Sequence, residues 1–318
     1  MGMRRRVEPQ KFTSPPPFPY LPVGRLTNMH KYPKPTHLVR TPDERVNWPQ
    51  SIPFILLHFL PITLIFTGIS TTAVVLFLVT YFGRMFFVTA GYHRYFSHKS
   101  YKLARVPQFI MAFGAETSAQ KGVLWWAAHH RNHHQFSDTE RDVHSPRKGF
   151  WWSHVGWILA DKFKAYDADR IRDFGKYPEL VFIDKRDWIA PWTLGITCYL
   201  IGGWSGLVLG FFASTVLLWH TTFLVNSLAH VYGRRRYETD DTSRNSMLVA
   251  LLTGGEGWHN NHHHYQASAR QGFFWWEIDT TYYILKLLSL VGIVKDLRQP
   301  PDRVKYSGRI GDEVLESR

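Results

Sequence analysis

Hydrophobic positions in this chain are concentrated in two long stretches that contain no charged residue. Residues 46–83 lack Asp, Glu, Lys and Arg over 38 positions, and residues 188–233 lack them over 46 positions. A helix needs about 20 apolar residues to cross the hydrocarbon core of a bilayer. Each stretch therefore predicts two crossings joined by a short uncharged turn, at about 51–68 and 73–90 and again at about 188–203 and 207–228.

Charged residues fill the remainder of the chain, and their distribution predicts the topology. Lys and Arg occur in the first 45 residues, between Arg84 and Arg186, and from Arg234 onward, and the net charge is +13. Because an excess of basic residues marks the cytoplasmic side, both termini and the segment between the hairpins are expected there. Anionic lipid head groups account for the basic surface without a nucleic-acid partner. Arg84 is expected to extend to the head groups.

The charge pattern also divides the chain into regions. Residues 1–47, rich in Pro and basic residues, predict a loosely structured cytoplasmic arm, and residues 301–318 a C-terminal tail. The main domain covers 48–300, with its polar parts at 91–186 and 231–300. Phe273–Val294 is apolar but contains three charged residues, which favours a helix on the membrane surface over a fifth crossing. The single cysteine, Cys198, excludes a disulfide framework.

Histidines are clustered where the predicted crossings meet the cytoplasm. The clusters are His93-x₄-His98, His130-x-x-His133-His134 and His259-x-x-His262-His263, with His230 closing the last crossing. Residues three or four apart lie on one face of a helix, so the second and third clusters can each direct their rings toward one point. His93 and His98 are about 140° apart on an α-helix, and converge only if the helix unwinds or if each binds a different ion. Nine imidazoles exceed the capacity of one ion and predict a dinuclear site.

The chemistry of the donors narrows the choice of metal. Imidazole binds zinc, copper, iron and nickel, but the His-Glu-x-x-His motif of zinc proteases is missing from the sequence. A carboxylate-bridged bundle needs two Glu-x-x-His motifs, and only Glu256–His259 has that spacing. An all-imidazole pair of ions at a membrane favours iron that activates O2 beside an apolar substrate. Asp138, Asp142 and Glu256 are candidates to orient the ligands. His129 and His264 are predicted to be non-ligands, and packing or orienting roles are predicted for His144, His154 and His220.

These motifs, in this order, resemble the membrane fatty acyl desaturases, and specifically the stearoyl-CoA or delta-9 class. The resemblance rests on Thr-Ala-Gly-Tyr-His93, His130-Arg-Asn-His-His134, Asn226-Ser-Leu-Ala-His230 and Gly-Glu-Gly-Trp-His259, and covers about residues 50–297. It implies an all-α integral membrane protein with four transmembrane helices and a cytoplasmic helical cap. In such enzymes nine histidines bind two irons and an asparagine contacts one iron through water. Carried over, the metal-site residues are His93, His98, His130, His133, His134, His230, His259, His262, His263 and Asn226.

The resemblance also implies a substrate and partners. The substrate is a saturated acyl chain on CoA or another carrier, which O2 and two electrons convert into a cis-unsaturated chain. Trp126 matches a tryptophan beside the acyl chain, and Phe77 and Tyr81, one turn apart, are candidates to close the far end of the tunnel. Electrons are expected from a separate ferredoxin or cytochrome b5 type donor with its reductase, because the His-Pro-Gly-Gly segment of a fused cytochrome is missing from the sequence. The expected metals are two iron ions, and the sequence leaves open whether purified protein holds iron or zinc in their place.

The chain departs from the animal acyl-CoA enzymes at two places. Just before the second histidine cluster this chain has Ala128-His129 in place of Arg-Asp. Further along it has Asp161-Lys162 in place of a basic pair, so Lys162 is the one cation left at that pair to contact the head group of the acyl carrier. The style of the sequence resembles bacterial members, which favours the bacterial inner membrane over the endoplasmic reticulum. A membrane di-iron hydroxylase of alkyl or sterol substrates is the nearest alternative, and a metal carrier or transporter is a more distant one.

Overall fold

The computed structural model describes residues 37–310, and these residues form a helical protein. No strand occurs in that range, where extended pairing is limited to isolated bridges. The predicted arm (1–47) is therefore described only from residue 37 and the tail (301–318) only to residue 310. The α-helices are α1 (Trp48–Phe59), α2 (Leu64–Thr67), α3 (Thr71–Phe86), α4 (Arg105–Glu116), α5 (Val123–Phe136), α6 (Phe150–His154), α7 (Arg172–Gly175), α8 (Pro178–Asp184), α9 (Ile189–Ser205), α10 (Ser214–Asn226), α11 (Leu228–Val231), α12 (Met247–Leu252), α13 (His259–His264), α14 (Thr280–Leu290) and α15 (Asp302–Tyr306). Single turns of 3₁₀-helix lie at Leu60–Thr63, Pro146–Lys148, Gly156–Leu159, Asp161–Phe163 and Ala168–Ile171, and π-helices at Phe87–Ser97 and Gly206–Ala213.

Three helical stretches in the described part of the chain are long and apolar enough to cross a membrane: Trp48–Thr67, Thr71–Ser97 and Ile189–Val231. Their outer faces carry large apolar side chains such as Phe66 and Leu200, which are 86% and 77% exposed. Exposed apolar surface of this extent is typical of a lipid-facing surface. The second stretch runs past the predicted end at residue 90 to Ser97, so the first histidine cluster begins inside the same continuous helix.

The third stretch, Ile189–Val231, is one assignment of 43 residues with a break inside it. Gly203 has φ 59° and ψ −151°, a conformation that only glycine adopts readily. The chain then folds back, and the two arms pack closely. A Cβ on Gly206 would lie 2.5 Å from the carbonyl oxygen of Cys198, and a Cβ on Gly195 would lie 3.1 Å from the ring of Phe211. This reversal falls where the predicted crossings at about 188–203 and 207–228 meet.

Arg84 corrects one expectation from the sequence. Its side chain is 3% exposed and lies inside the helical bundle, not at the head groups. The guanidinium donates to the hydroxyls of Ser214 (2.5 Å) and Thr215 (2.6 Å) and to the carbonyl of Thr80 (3.0 Å). The guanidinium of Arg84 thus bonds to hydroxyls on α10 and not to the water and phosphate of the head-group region. The result is a polar link between α3 and α10.

A row of three imidazoles links α1, α10 and α6. His58 Nε2 lies 2.9 Å from His220 Nε2, His220 Nδ1 lies 3.0 Å from His154 Nε2, and His154 Nδ1 lies 2.9 Å from Ser227 Oγ. The rings therefore hydrogen-bond in sequence and do not converge on one point. These contacts agree with the packing or orienting roles predicted for His154 and His220.

Replacing His220 with leucine is expected to lower stability, because it removes the central ring and leaves His58 and His154 without their partner. Leaving a buried polar group unsatisfied costs about 1–3 kcal/mol. Thermal unfolding in detergent micelles measures the effect. The control is Leu217→Ala on the same helix, where the side chain is already 41% exposed. Equal unfolding temperatures for the two variants would contradict the structural role of the row.

Residues 301–310, the described part of the predicted tail, pack against the rest of the protein. Tyr237 pairs with Arg309 through the backbone and donates its hydroxyl proton to the carbonyl of Lys305 at 2.8 Å. His264 lies 3.1 Å from the carbonyl of Val304 and stacks on Tyr237 at 4.0 Å. Residues 301–310 thus cover the outer side of the third histidine cluster.

Candidate metal centre

The first histidine pair is brought together by a change in helix type. Phe87–Ser97 is π-helical, and in this form hydrogen bonds join residues five apart, so positions i and i+5 lie near one face. The amide of His98 donates to the carbonyl of His93 at 3.2 Å, and the two rings lie 4.8 Å apart. The predicted unwinding of the helix between His93 and His98 is therefore confirmed. Both histidines belong to the same group of candidate metal ligands.

Helix α5 presents the second cluster, and buried carboxylates fix its start. Asp184 accepts from the amides of Leu124 (2.7 Å) and Trp125 (3.0 Å), and Glu116 accepts from that of Val123 (3.0 Å). Side-chain oxygens at a helix N-terminus accept hydrogen bonds from amides that have no partner within the helix. Burial raises the pKa of Glu116 to about 8. The helix is thus anchored two turns before its histidines.

The third cluster lies on α13, which is held by a network of amides. Asn260 accepts from the backbone of Arg236 and Tyr237 at 2.7 Å, and Asn261 accepts from Asn245 at 2.7 Å. Asn261 also donates to Glu277 at 2.9 Å. The two asparagines between the histidines therefore face away from the cluster and lock the helix to its neighbours.

Nine histidines form two adjoining groups of ring nitrogens. Within each group the ligand atoms lie within 4.8 Å of one another. In the larger group Nε2 of His262 lies 3.0 Å from those of His93 and His134, and in the smaller group Nε2 of His230 lies 3.0 Å from that of His259. The larger group is His93, His98, His130, His134 and His262; the smaller is His133, His230, His259 and His263.

The spacing of the nitrogens fits a pair of metal ions. Nitrogens bound at about 2.1 Å and at right angles around one ion lie about 3.0 Å apart, which is the separation seen between several of these atoms. Nε2 of His133 and of His263 are buried and have no protein partner among the described residues. Buried acceptors of this kind are the natural ligands of an ion. The donor set, all imidazole, suits iron, zinc or copper.

Carboxylates orient several of the rings from behind. Nδ1 of His93 lies 2.5 Å from Glu256, and Nδ1 of His133 lies 3.0 Å from Asp142. Nδ1 of His230 lies 3.4 Å from Asp138. The orienting contacts predicted for these three acids are confirmed. With Nδ1 protonated and donating, Nε2 keeps its lone pair for a metal.

Asp241 is a fourth orienting acid, and sequence reasoning missed it. It lies 2.5 Å from Nδ1 of His263. It precedes its partner by 22 residues and lies in a loop, so no local spacing marks it. Although burial opposes ionisation, the hydrogen bond from Nδ1 of His263 lowers the pKa of Asp241. The loop at 238–243 is therefore part of the site.

Removing Asp241 is expected to weaken the smaller group of ligands. Loss of such an orienting partner typically costs 10–100-fold in metal affinity or activity, so Asp241→Ala is expected to lose about that factor. Metal content by mass spectrometry and product formation in cells measure it. Asp240→Ala, an exposed neighbour, is the control. A normal metal content in Asp241→Ala would contradict the assignment.

Three histidines near the clusters stand outside the two groups. His264 packs on Tyr237, and His129 packs on Trp125 at 4.5 Å between ring centroids. The ring of His144 lies 4.2 Å from the ring of His133. His144, His133 and Asp142 together have ligand atoms close enough to form a third, smaller group. Burial lowers the pKa of His129 to about 4 and that of His144 to about 3, so both rings are uncharged at neutral pH.

Two cavities meet beside the metal groups. The larger, of about 330 Å³, runs along α1 and α10, and the smaller, of about 40 Å³, lies beneath His93, His133 and His259. The residues that line both are Trp126, His130, Thr222 and Asn226. Trp126 stacks on His130 at 4.9 Å and on Tyr92 at 5.3 Å. The candidate residues Trp126 and Asn226 thus lie at the junction of the cavities, next to the histidines.

The other candidate substrate residues lie elsewhere. Phe77 and Tyr81 stack on each other at 6.5 Å, and neither lines the two described cavities. Nζ of Lys162 donates to the hydroxyl of Thr41 at 2.8 Å and forms ion pairs with Asp43 at 3.2 Å and Glu44 at 3.3 Å. Roles in substrate binding for these three residues stay predictions.

Comparisons with known proteins agree with the site. The sequence matches the family model for fatty acid desaturases over residues 69–287. An sn-1 stearoyl-lipid 9-desaturase of Synechocystis is 38% identical over 216 residues, which cover 68% of each chain. One of Anabaena variabilis is 34% identical over 261 residues, which cover 80% of this chain and 94% of the relative. An acyl-CoA 5-desaturase of Anemone leveillei is 35% identical over 221 residues, 69% of each chain.

The family expected from the sequence is therefore confirmed. The match covers more than half of the chain and contains all nine clustered histidines. The curated relatives act on acyl chains and are oxidoreductases. The chain belongs to the fatty acid desaturase family.

Proposed function

We propose that this protein is an O2-dependent fatty acyl desaturase that inserts a cis double bond, at the delta-9 position, into a saturated acyl chain at a di-iron centre. The observation that carries the proposal is the position of the two histidine groups at the junction of two cavities with largely apolar walls. An acyl chain threaded from one cavity into the other would expose one short segment to the metals. The names of three cyanobacterial relatives as 9-desaturases support the position of the double bond.

The reaction removes two hydrogens from adjacent methylenes. Its balance is R–CH2–CH2–R′ + O2 + 2 e⁻ + 2 H⁺ → R–CH=CH–R′ + 2 H2O. Two irons held by the nine histidines, with Asn226 in contact through water, would supply the activation of O2. Zinc bound in their place would not carry out this redox chemistry. The electrons come from a separate donor of ferredoxin or cytochrome b5 type with its reductase.

The chain's own residues position the substrate and the ligands. Trp126 and Thr222 border the junction, and the hydroxyl of Thr222 accepts from Gln120 at 3.3 Å. A chain held in a bend at this point presents the two methylenes in the eclipsed arrangement that leads to a cis product, and holding reacting groups in place lowers the barrier. Glu256, Asp138, Asp142 and Asp241 fix the tautomers of their histidines.

The proposed setting is a membrane crossed four times. The support is the three apolar helical stretches, the third of which folds back at Gly203. Both termini and the metal site would then face the cytoplasm, the side marked by the basic residues. The bacterial inner membrane is the proposed location. The acyl carrier is a lipid or CoA, as in the names of the relatives.

Expression in a desaturase-deficient host tests the proposal. The expected product is an acyl chain lighter by two hydrogens, formed only with O2, with its double bond located by mass spectrometry. A product heavier by one oxygen would instead indicate the hydroxylase that shares this type of histidine scaffold. Metal uptake without O2 consumption or product would indicate a carrier. Either result would overturn the desaturase assignment.

A further inference from the structure

One loop carries two of the four acids that orient the metal-site histidines. This orienting loop joins α5 to α6, at residues 137–149, and contains Asp138 and Asp142. Asp138 lies behind the ring of His230. Asp142 lies behind the ring of His133. Both rings belong to the smaller group of ligands, so the position of this loop sets how two of its four members are held.

Asp142 is fixed both at its side chain and at its backbone. The carboxylate is fully buried and accepts from Nδ1 of His133 at 3.0 Å. It also accepts from the amides of Asp138 at 2.9 Å and His144 at 3.2 Å. The backbone carbonyl of Asp142 accepts from Nζ of Lys148 at 3.2 Å. Since carbonyl and carboxylate belong to one residue, a shift of this carbonyl would move the carboxylate away from the imidazole.

The ammonium group of Lys148 has an acceptor for each of its three protons. Nζ donates to the carbonyl of Glu140 at 2.7 Å, to that of Asp142 at 3.2 Å and to the carboxylate of Glu44 at 2.8 Å. The side chains of Lys148 and Glu44 are 2% and 3% exposed. Although burial opposes ionisation, the hydrogen bond from Lys148 lowers the pKa of Glu44. Because a buried charge is costly unless it is paired and hydrogen-bonded, this ammonium is held at one place.

Glu44 brings its charge from a distant part of the chain. It precedes Lys148 by 104 residues and lies in the segment before α1. The amide of Leu38 in this segment donates to the carbonyl of Arg147 at 2.9 Å. The amide of Asn47 donates to the carbonyl of Leu159 at 2.9 Å. The segment is thus bound on both sides of Glu44, which places the carboxylate beneath the orienting loop.

We propose that Lys148, anchored by Glu44, is a positioning residue for the smaller group of metal ligands. Its ammonium holds the carbonyls of residues 140 and 142, and through them the carboxylates that orient His133 and His230. Lys148 thereby acts on the metal site through other residues. The inference rests on the proposed function through its pair of metal ions, but not on the reaction that they carry out.

A structural role and a positioning role of Lys148 are separable by substitution. Lys148→Met removes the donor for both carbonyls and also leaves the buried charge of Glu44 without its main partner. The double variant Lys148→Met/Glu44→Gln removes both charges, so the destabilising unpaired carboxylate is gone. In the double variant the two carbonyls still lack their donor. Stability is therefore expected to recover in the double variant, while the defect in positioning is expected to persist.

The test is retention of Co²⁺ by the full-length protein in detergent. Protein loaded with Co²⁺ is challenged with increasing EDTA, and the visible absorption of each ion, which depends on its ligands, reports its release. Lys162→Met is the matched control, because Lys162 also donates to Glu44, at 3.3 Å. Its other hydrogen-bond partners, Thr41 and Asp43, likewise precede α1 and lie outside the orienting loop. Unfolding temperature is measured on the same samples.

Lys148→Met is expected to release one of two Co²⁺ ions at an EDTA concentration about 10-fold lower than the wild type. This is the lower end of the 10–100-fold loss typical of a direct orienting partner, since Lys148 acts through one more residue. The second ion, in the larger group, is expected to be released as in the wild type. Lys162→Met is expected to retain both ions. The double variant is expected to unfold at a higher temperature than Lys148→Met and to release one ion just as early.

Three results would overturn the inference. The first is release at the wild-type EDTA concentration in Lys148→Met, and the second is early release of both ions together. The third is a double variant that regains ion retention along with stability, which would leave the pair a structural role alone. If Lys148→Met does not fold, the double variant, which has no unpaired buried charge, decides alone. Wild-type protein that holds two ions but forms no unsaturated product would overturn the proposed function and leave this inference intact.

Discussion

Replacing His262 with alanine is expected to abolish the unsaturated product. Nε2 of His262 lies 3.0 Å from both His93 and His134, so its loss opens the larger group of ligands on two sides. Loss of an orienting partner alone costs 10–100-fold, so loss of a ligand is expected to exceed about 100-fold. Product formation in a desaturase-deficient host and metal content per chain measure the effect. Metal content is expected to fall by about half, because the smaller group stays intact.

His264→Ala is the matched control for this prediction. It lies two residues further along the same helix but bonds to Val304 and packs on Tyr237, outside both groups. It is expected to keep its metal and its product. Normal product from His262→Ala, in protein that inserts normally into membranes, would contradict the assignment of His262 as a ligand.

Replacing Arg94 with methionine is expected to cause the largest loss of stability. The guanidinium is 1% exposed and donates to Glu256 at 2.8 Å and to Asp279 at 2.9 Å. Breaking a buried ion pair by removing one partner costs about 3–5 kcal/mol, since a charge is left uncompensated. Here two carboxylates would be left. Although burial opposes it, the charge of Arg94 lowers the pKa of Glu256 to about 2, so this acid is ionised at neutral pH.

The effect of Arg94→Met is measured by thermal unfolding in detergent and by activity. Activity is expected to fall as well, because the other oxygen of Glu256 holds Nδ1 of His93. Arg105→Met is the control: its ion pair with Glu179 is exposed, and such pairs contribute about 0–1 kcal/mol. A similar unfolding temperature for the two variants would show that the buried pair is not structural.

Much of the fold was predictable because membrane crossings depend on composition. Stretches without charge located the three apolar helical segments to within a few residues, apart from the extension of the second to Ser97. The fate of Arg84 was not predictable, because its partners on α10 are 130 and 131 residues away in sequence. Spacing rules describe one helix at a time and carry no information about which helices pack together.

The same limit applies to the metal centre. The nine histidines were visible as clusters, since neighbours on a helix share a face. Their division into groups of five and four was not visible, because His133 and His134, adjacent in sequence, belong to different groups. Asp241 was missed for a similar reason: its partner His263 is reached only through the fold.

The nine histidines come from four separate segments between residues 93 and 263. Any ion held by them acts as a cross-link that closes several long loops at once, and closing a long loop costs entropy that the bound ion would offset. Folding of the four segments that carry these histidines is therefore expected to depend on metal supply. In a cell short of that metal, the apolar helices are expected to form while the four histidine segments stay without this cross-link.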